Sequence, residues 1–191
     1  MKYLIYISAF LVGCSHKSDN STEFETKSIT EKGIKINVDI PNNLSYESYS
    51  YCDGVLNMVY SFSSNKIPYD CPEKWPAKEE IASIGDQILI YVDDNIDFGN
   101  DYFNEIDLNY RIERQMIANP STKFIQNEIC KVNGEKAYCF KLQYEFADRV
   151  CFEVSQNIIK NGKLVVITYY GFDKKDKLMT AKTVFESVKF K

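Results

Sequence analysis

The side chains in this sequence best suited to chemistry are its cysteines, and their spacing points to cross-linking more than to catalysis. Beyond Cys14 there are Cys52, Cys71, Cys130, Cys139 and Cys151. No two are spaced Cys-x-x-Cys, the arrangement that a zinc or thioredoxin-type site needs. The only histidine is His16, two residues after Cys14. The rest of the chain thus lacks the commonest general base and metal ligand, and with it any Ser-His-Asp or Cys-His arrangement. Gly-x-Ser-x-Gly, His-Glu-x-x-His, a P-loop and Gly-x-Gly-x-x-Gly are missing as well. Asp93, Asn95 and Asp97 before Gly99 resemble the alternate oxygen ligands of a calcium loop, but the glycine falls one place late. The twelfth position is Asn104, and Glu105 lies one place beyond it, so the stretch reads better as a polar strand-to-helix connection. The expectation is no catalytic residue, no metal and no cofactor. A carboxylate pair is compatible with so acidic a chain, but no spacing singles one out.

The elements that must position these cysteines centre on a four-stranded meander over 124–171. Asn133-Gly134 and Asn161-Gly162 each sit between β-like runs, and Asn-Gly favours the positive φ angles of a two-residue hairpin turn. Between them, Tyr138, Phe140, Leu142, Tyr144 and Phe146 alternate with polar residues, so one face of that strand is expected to be buried. The first turn pairs Val132 with Glu135, Ile129 with Tyr138 and Ile125 with Leu142; the last pairs Val165 with Ile158 and Tyr169 with Val154. Ala147-Asp148-Arg149 is read as a three-residue loop placing Tyr144 opposite Phe152, because a two-residue turn would set Tyr144 against Cys151 and flip the face. In this register Cys130 pairs with Ala137 and Cys139 with Glu128, on the polar face. The two cysteines are then diagonal neighbours, roughly 5–7 Å apart and within disulfide range. Cys52 and Cys71 flank a Pro/Tyr-rich loop, and a bridge there would stabilise by roughly 3 kcal/mol. With both bridges made Cys151 is left over; the alternative is that several of these thiols are small buried hydrophobes.

Ahead of the meander, Ile34, Ile36, Val38 and Ile40 alternate with polar residues up to Pro41, and Leu56, Met58, Tyr60 and Phe62 repeat the pattern. Tyr46, Tyr49 and Tyr51 lie between these strands and, with Trp75, are the candidate partner contacts, since aromatic residues are enriched at binding surfaces. The competing reading is a hairpin edge whose rings pack over the sheet, with the tryptophan plugging the core. Gln87–Val92 reads as a short apolar strand. Phe103, Ile106, Tyr110 and Ile117 recur at helical spacing until Asn119-Pro120. After the meander Asp173 can cap a last helix with Leu178, Ala181, Phe185 and Val188 as its apolar stripe, and Ser187–Lys191 can finish as a short strand.

The N-terminus carries a different signal. Met1-Lys2 and the apolar run Tyr3–Phe10, too short to span a bilayer, lead to Leu11-Val12-Gly13-Cys14. These four residues match the bacterial lipobox, in which the cysteine receives diacylglycerol, so 1–13 is expected to be a lipoprotein signal peptide and Cys14 the lipidation site. Several acyl chains at one residue exceed the threshold for stable anchoring. Ser15 after the cysteine favours the outer membrane, and polar 14–28 reads as lipidated cysteine plus flexible tether. Residues 29–191 make one domain of ordinary size. The formal charge of −4 comes with no basic stripe, which makes nucleic acid a poor partner. An oxidising compartment makes disulfides the default for the cysteines.

Several stretches together resemble a PsbP-like domain, a fold shared with Ran-binding nuclear import regulators and small bacterial lipoproteins. They are Gly33–Pro41, the helix ending at Asn119-Pro120, the hairpin Val132–Ala137, Lys163–Tyr170, and Phe185-Glu186-Ser187-Val188-Lys189-Phe190. The resemblance spans roughly Ile29–Lys191, with 42–81 poorly matched. It implies an α+β architecture, an antiparallel sheet with helices on both faces, and a role as assembly factor or binding module, with no catalytic motif carried over. The functional expectation is a non-catalytic, lipid-anchored binding or assembly domain facing the periplasm, with an envelope protein as partner. An immunity or inhibitor lipoprotein against an envelope toxin, and a carboxylate-dependent envelope hydrolase, are the alternatives.

Overall fold

In the computed structural model the described residues are 22–51, 58–66, 83, 85–94, 112–113, 116–117, 119–173 and 176–191. Four of the chain reversals are two-residue turns with both residues at positive φ: Lys32-Gly33, Asn133-Gly134, Ala147-Asp148 and Asn161-Gly162. Such turns match the right-handed twist of the strands they join, so each makes a tight antiparallel hairpin. The first joins β1 (Phe24–Glu31) to β2 (Ile34–Pro41). The other three join β6 (Lys123–Val132), β7 (Glu135–Phe146), β8 (Arg149–Lys160) and β9 (Lys163–Phe172) into the expected meander. Between these groups lie β3 (Tyr46–Tyr51), β4 (Met58–Ser63) and β5 (Gln87–Asp93). After them come α1 (Lys177–Ser187) and β10 (Lys189–Phe190).

The strands form two antiparallel sheets: three strands in the order β1-β2-β10 and seven in the order β3-β4-β5-β9-β8-β7-β6. β2 alternates because its isoleucines and Val38 point into the main core, where they meet Ala181, Val184 and Phe185 of α1 and one face of the large sheet. That face presents Phe62, Ile88, Ile90, Val154, Ile158, Val165, Ile167 and Tyr169. The opposite face holds a smaller cluster of Tyr138, Ile159, Leu164 and Val166, flanked by Tyr91 and Phe140. Polar ties lock the sheets together. Lys32 in the first turn pairs with Asp94 after β5, Lys163 donates to the Lys32 carbonyl, and Ser187 at the end of α1 accepts from the Asp39 amide at 2.8 Å.

Several expectations need correction. The sandwich with helices on both faces is not what the chain builds. Among the described residues strands dominate, and α1 is the single helix with defined ends, packed on one face beside the small sheet. The layer opposite the large sheet is thus shared between a helix and three strands. Of the earlier helical stretch, 112–113 and 116–117 are helical, while Phe103, Ile106 and Tyr110 lie outside the described residues. Ile117 is 80% exposed, so it does not belong to a buried stripe. Phe24 to Lys27, expected within a flexible segment, are instead paired with β2, and the Asn42 amide donates to the Glu23 carbonyl at 2.9 Å.

Within the meander the registers Val132–Glu135, Ile129–Tyr138, Val165–Ile158 and Tyr169–Val154 are as expected. Two others differ. A β-bulge at Ile125 places Phe124, rather than Ile125, opposite Leu142. Ala147-Asp148 is a two-residue turn, so Tyr144 faces Cys151 and not Phe152. That one-residue change turns the β6–β7 hairpin over relative to β8–β9. Ala137 joins the main core, with Cys130 and Cys139 packed against it, while the aromatic row Tyr138–Phe146 lies on the far face. Alternation on β7 was no guide because both sheet faces bury side chains. Asp173 does not cap α1. Asp176 occupies that position, and the Asp173 carboxylate instead accepts from Arg149 Nε and Nη2 at 2.9 and 2.7 Å.

Candidate functional site

The expected site residues fare unevenly. Cys14, Cys52, Cys71 and Trp75 lie outside the described residues, as do Asn95, Asp97 and Gly99 of the calcium-like stretch. Asp93 closes β5, and its neighbour Asp94 is held by Lys32, whose hydrogen bond lowers the Asp94 pKa. Tyr46, Tyr49 and Tyr51 occupy β3, an edge strand of the large sheet, opposite Ser63, Tyr60 and Met58. Tyr46 is 47% exposed. Cys130 and Cys139 are joined in a disulfide with Cα atoms 6.0 Å apart, the diagonal pair that the Asn133-Gly134 turn dictates. Cys151 is a free, buried thiol.

The structure gathers a group that the sequence did not single out, on the far face of the large sheet. β8 is a central strand, and Cys151, Glu153, Ser155 and Asn157 are spaced two apart along it, so all four share that face. Thr168 and Tyr170 on β9 lie directly opposite Ser155 and Glu153, and Gln87 on β5 lies opposite Tyr170. On β7 Tyr144 is diagonal to Glu153 and donates its hydroxyl proton to Glu153 Oε2 at 3.1 Å. The rest of the row is joined in the same way. Ser155 and Thr168 hydroxyls meet at 2.9 Å, Gln87 Nε2 donates to Ser61 Oγ at 2.8 Å, and the Tyr138 hydroxyl donates to Asn127 Oδ1. In sequence the only trace is polar alternation along β8 and β9, which reads as a wet face. What makes it a site is that the face is largely buried.

Burial dominates the electrostatics. It pushes the Glu153 carboxyl up to about 7, against the Tyr144 hydrogen bond that pulls it down. Burial, with the Glu153 charge second, raises Tyr144 and Tyr170 well beyond the usual phenol range. The Cys151 thiol is pushed up to about 12, again by burial, with the Tyr144 hydrogen bond opposing. Near neutral pH the thiol and both phenols therefore stay protonated, and Glu153 is the member whose charge can change. No second carboxylate faces it among the described residues. Asp86, the other acid acting on Cys151, is ion-paired with Lys177 and accepts from the Phe172 amide at 3.1 Å. The paired-carboxylate layout that glycoside hydrolysis uses is not formed by these residues.

A separate cleft of about 390 Å³ lies where the small sheet meets β3 and β4. Phe24, Ile40, Leu44 and Phe62 line it together with Lys27, which stands 2.9 Å from Glu25 and 3.8 Å from Glu47, also in the lining.

In sequence, no protein-family model and no curated protein matches this chain. Among solved structures it is similar to the cyanobacterial PsbP of Synechocystis, with a TM-score of 0.53 and 14% identity, covering 91% of this chain and 96% of that one. LpqN of Mycobacterium tuberculosis, described as involved in cell envelope biogenesis, gives 0.47 at 8% identity over 87% of this chain and 91% of its own. The Ran-binding protein Mog1p of Saccharomyces cerevisiae gives 0.44 at 10% identity over 84% of each chain. The first shows that the fold is PsbP-like.

Proposed function

We propose that the chain is a non-catalytic, lipid-anchored binding or assembly domain held at the outer membrane, facing the periplasm and engaging an envelope protein. The observation that carries this reading is the spacing of anchor and fold: Leu11-Val12-Gly13-Cys14 stands ten residues ahead of Phe24, the first residue of a PsbP-like β domain. With 1–13 removed and Cys14 acylated, the few residues before β1 act as a short tether, spanning at most about 3.3–3.6 Å per residue. The domain is thereby held close to the lipid, where a surface-bound partner is within reach.

Crosslinking in intact cells followed by mass spectrometry tests both parts together. The expected result is a diacylglycerol-modified Cys14 peptide and one envelope protein recovered reproducibly with the chain. Recovery of lipid-processing enzymes alone, or an unmodified Cys14, would sink the reading.

A further inference from the structure

We propose that Glu153, Tyr144 and Tyr170 form a receptor for one primary ammonium group, that of a lysine side chain presented by the protein partner. The inference rests on the reading of the chain as a protein-binding domain and deepens it. A carboxyl on a central strand is costly to bury unless it is paired. Glu153 Oε2 accepts from Tyr144, but Oε1 accepts from no described residue, and Glu153 takes part in none of the ion pairs among them. It is not sealed either: Glu153, Tyr144 and Tyr170 all keep intermediate exposure.

Three oxygen-bearing residues on three adjacent strands thus share one face, Tyr144 hydrogen-bonded to Glu153 and Tyr170 close enough to feel its charge. Tyr144 is on β7, Glu153 on β8 and Tyr170 directly opposite it on β9. An ammonium group carries three donors and a full charge, which suits one open carboxylate oxygen plus phenol oxygens, with the rings adding cation–π attraction. Arginine fits less well, because its planar fork prefers both oxygens of a carboxylate and Tyr144 already occupies one. A metal ion is poorly served, since it would find one carboxylate here and no cluster of three ligating residues is present among the described residues. The chain's net charge of −4 favours a cationic guest. The titratable groups facing Glu153 among the described residues are Tyr144, Cys151 and Tyr170, with Tyr91 beyond Tyr170; Arg149 and Asp86 act on Cys151. A bound ammonium would favour the ionised carboxylate and bring its pKa down from about 7.

The test is NMR of the full chain carrying carbonyl-labelled glutamate, titrated with n-butylammonium and, separately, n-butylguanidinium. The expected result is a saturable shift of the Glu153 resonance with the amine, a fall of about one unit or more in its titration midpoint, and binding about tenfold weaker for the guanidinium. Glu153→Gln should abolish amine binding and Tyr170→Phe should weaken it, with the strand signals of both variants unchanged. No saturable response, the same response in Glu153→Gln, or equal binding of the two probes would overturn the proposal. The titration needs no partner, so its failure leaves the anchored binding reading standing, and failure to crosslink a partner leaves the titration result standing.

Discussion

A carboxyl group set among tyrosines on a central strand couples its proton to folding. Glu153 is raised from its ordinary 4.5 to about 7, so between these pH values the folded chain holds a proton that the unfolded chain has lost. Stability from this group is therefore full below about pH 4.5 and falls as pH rises towards 7, by about 1.4 kcal/mol per pH unit and roughly 3–4 kcal/mol in all. Glu153→Gln, which keeps the shape of the neutral acid, should flatten that slope: chemical denaturation at pH 8 is expected to find it more stable than the parent, and at pH 4 equal to it. At this scale the sequence was uneven. Cys130 and Cys139 could be paired because a single Asn-Gly turn makes them diagonal neighbours. Glu153 could not be recognised, because a polar residue at every second position looks the same whether the face it points to is wet or buried.

Turns decide which hairpin faces which. Asn133-Gly134 and Asn161-Gly162 announce themselves, and the registers they impose are present in the structure. Ala147-Asp148 does not. It puts φ of 49° on an alanine and 59° on an aspartate, and alanine is a residue that the left-handed region penalises. Ala147→Gly should remove that strain and stabilise by about 0.5–1 kcal/mol, seen as a higher urea midpoint with unchanged slope. The disulfide between β6 and β7 closes a loop with a sequence separation of 9. Replacing both cysteines by alanine should cost about 2–3 kcal/mol in the chain-entropy account. Reductant should reproduce that loss in the parent and leave the double variant unmoved, whereas an equal response of both would contradict it. The β7 alternation was legible as a strand but not as an orientation, since Ala137 on one face and Tyr138 on the other are both buried.

For the molecule as a whole, the meander, β2, β5 and the last helix with its closing strand were readable from periodicity and turns. The division into two sheets was not, because it depends on β2 pairing with both β1 and β10 across the length of the chain. The seat of α1 on the large sheet is close at Gly171, where a Cβ would stand 2.6 Å from Lys177 Cβ and 2.8 Å from Tyr169 Cε1. Gly171→Ala should push the helix away and cost about 1–3 kcal/mol, with thermal unfolding as the readout; an unchanged midpoint would show that the helix shifts freely. The three-stranded sheet also sets an order of events in time. A ribosome releases β1 and β2 together, but among the described residues the other side of β2 is closed only by Lys189 and Phe190, with the Lys191 amide bound to the Lys35 carbonyl. A growing chain therefore carries a half-open β2 until β10, which follows all the other described strands, has been made. While β3 to β9 and α1 are being made, that edge stays exposed to strand-seeking neighbours or to a chaperone.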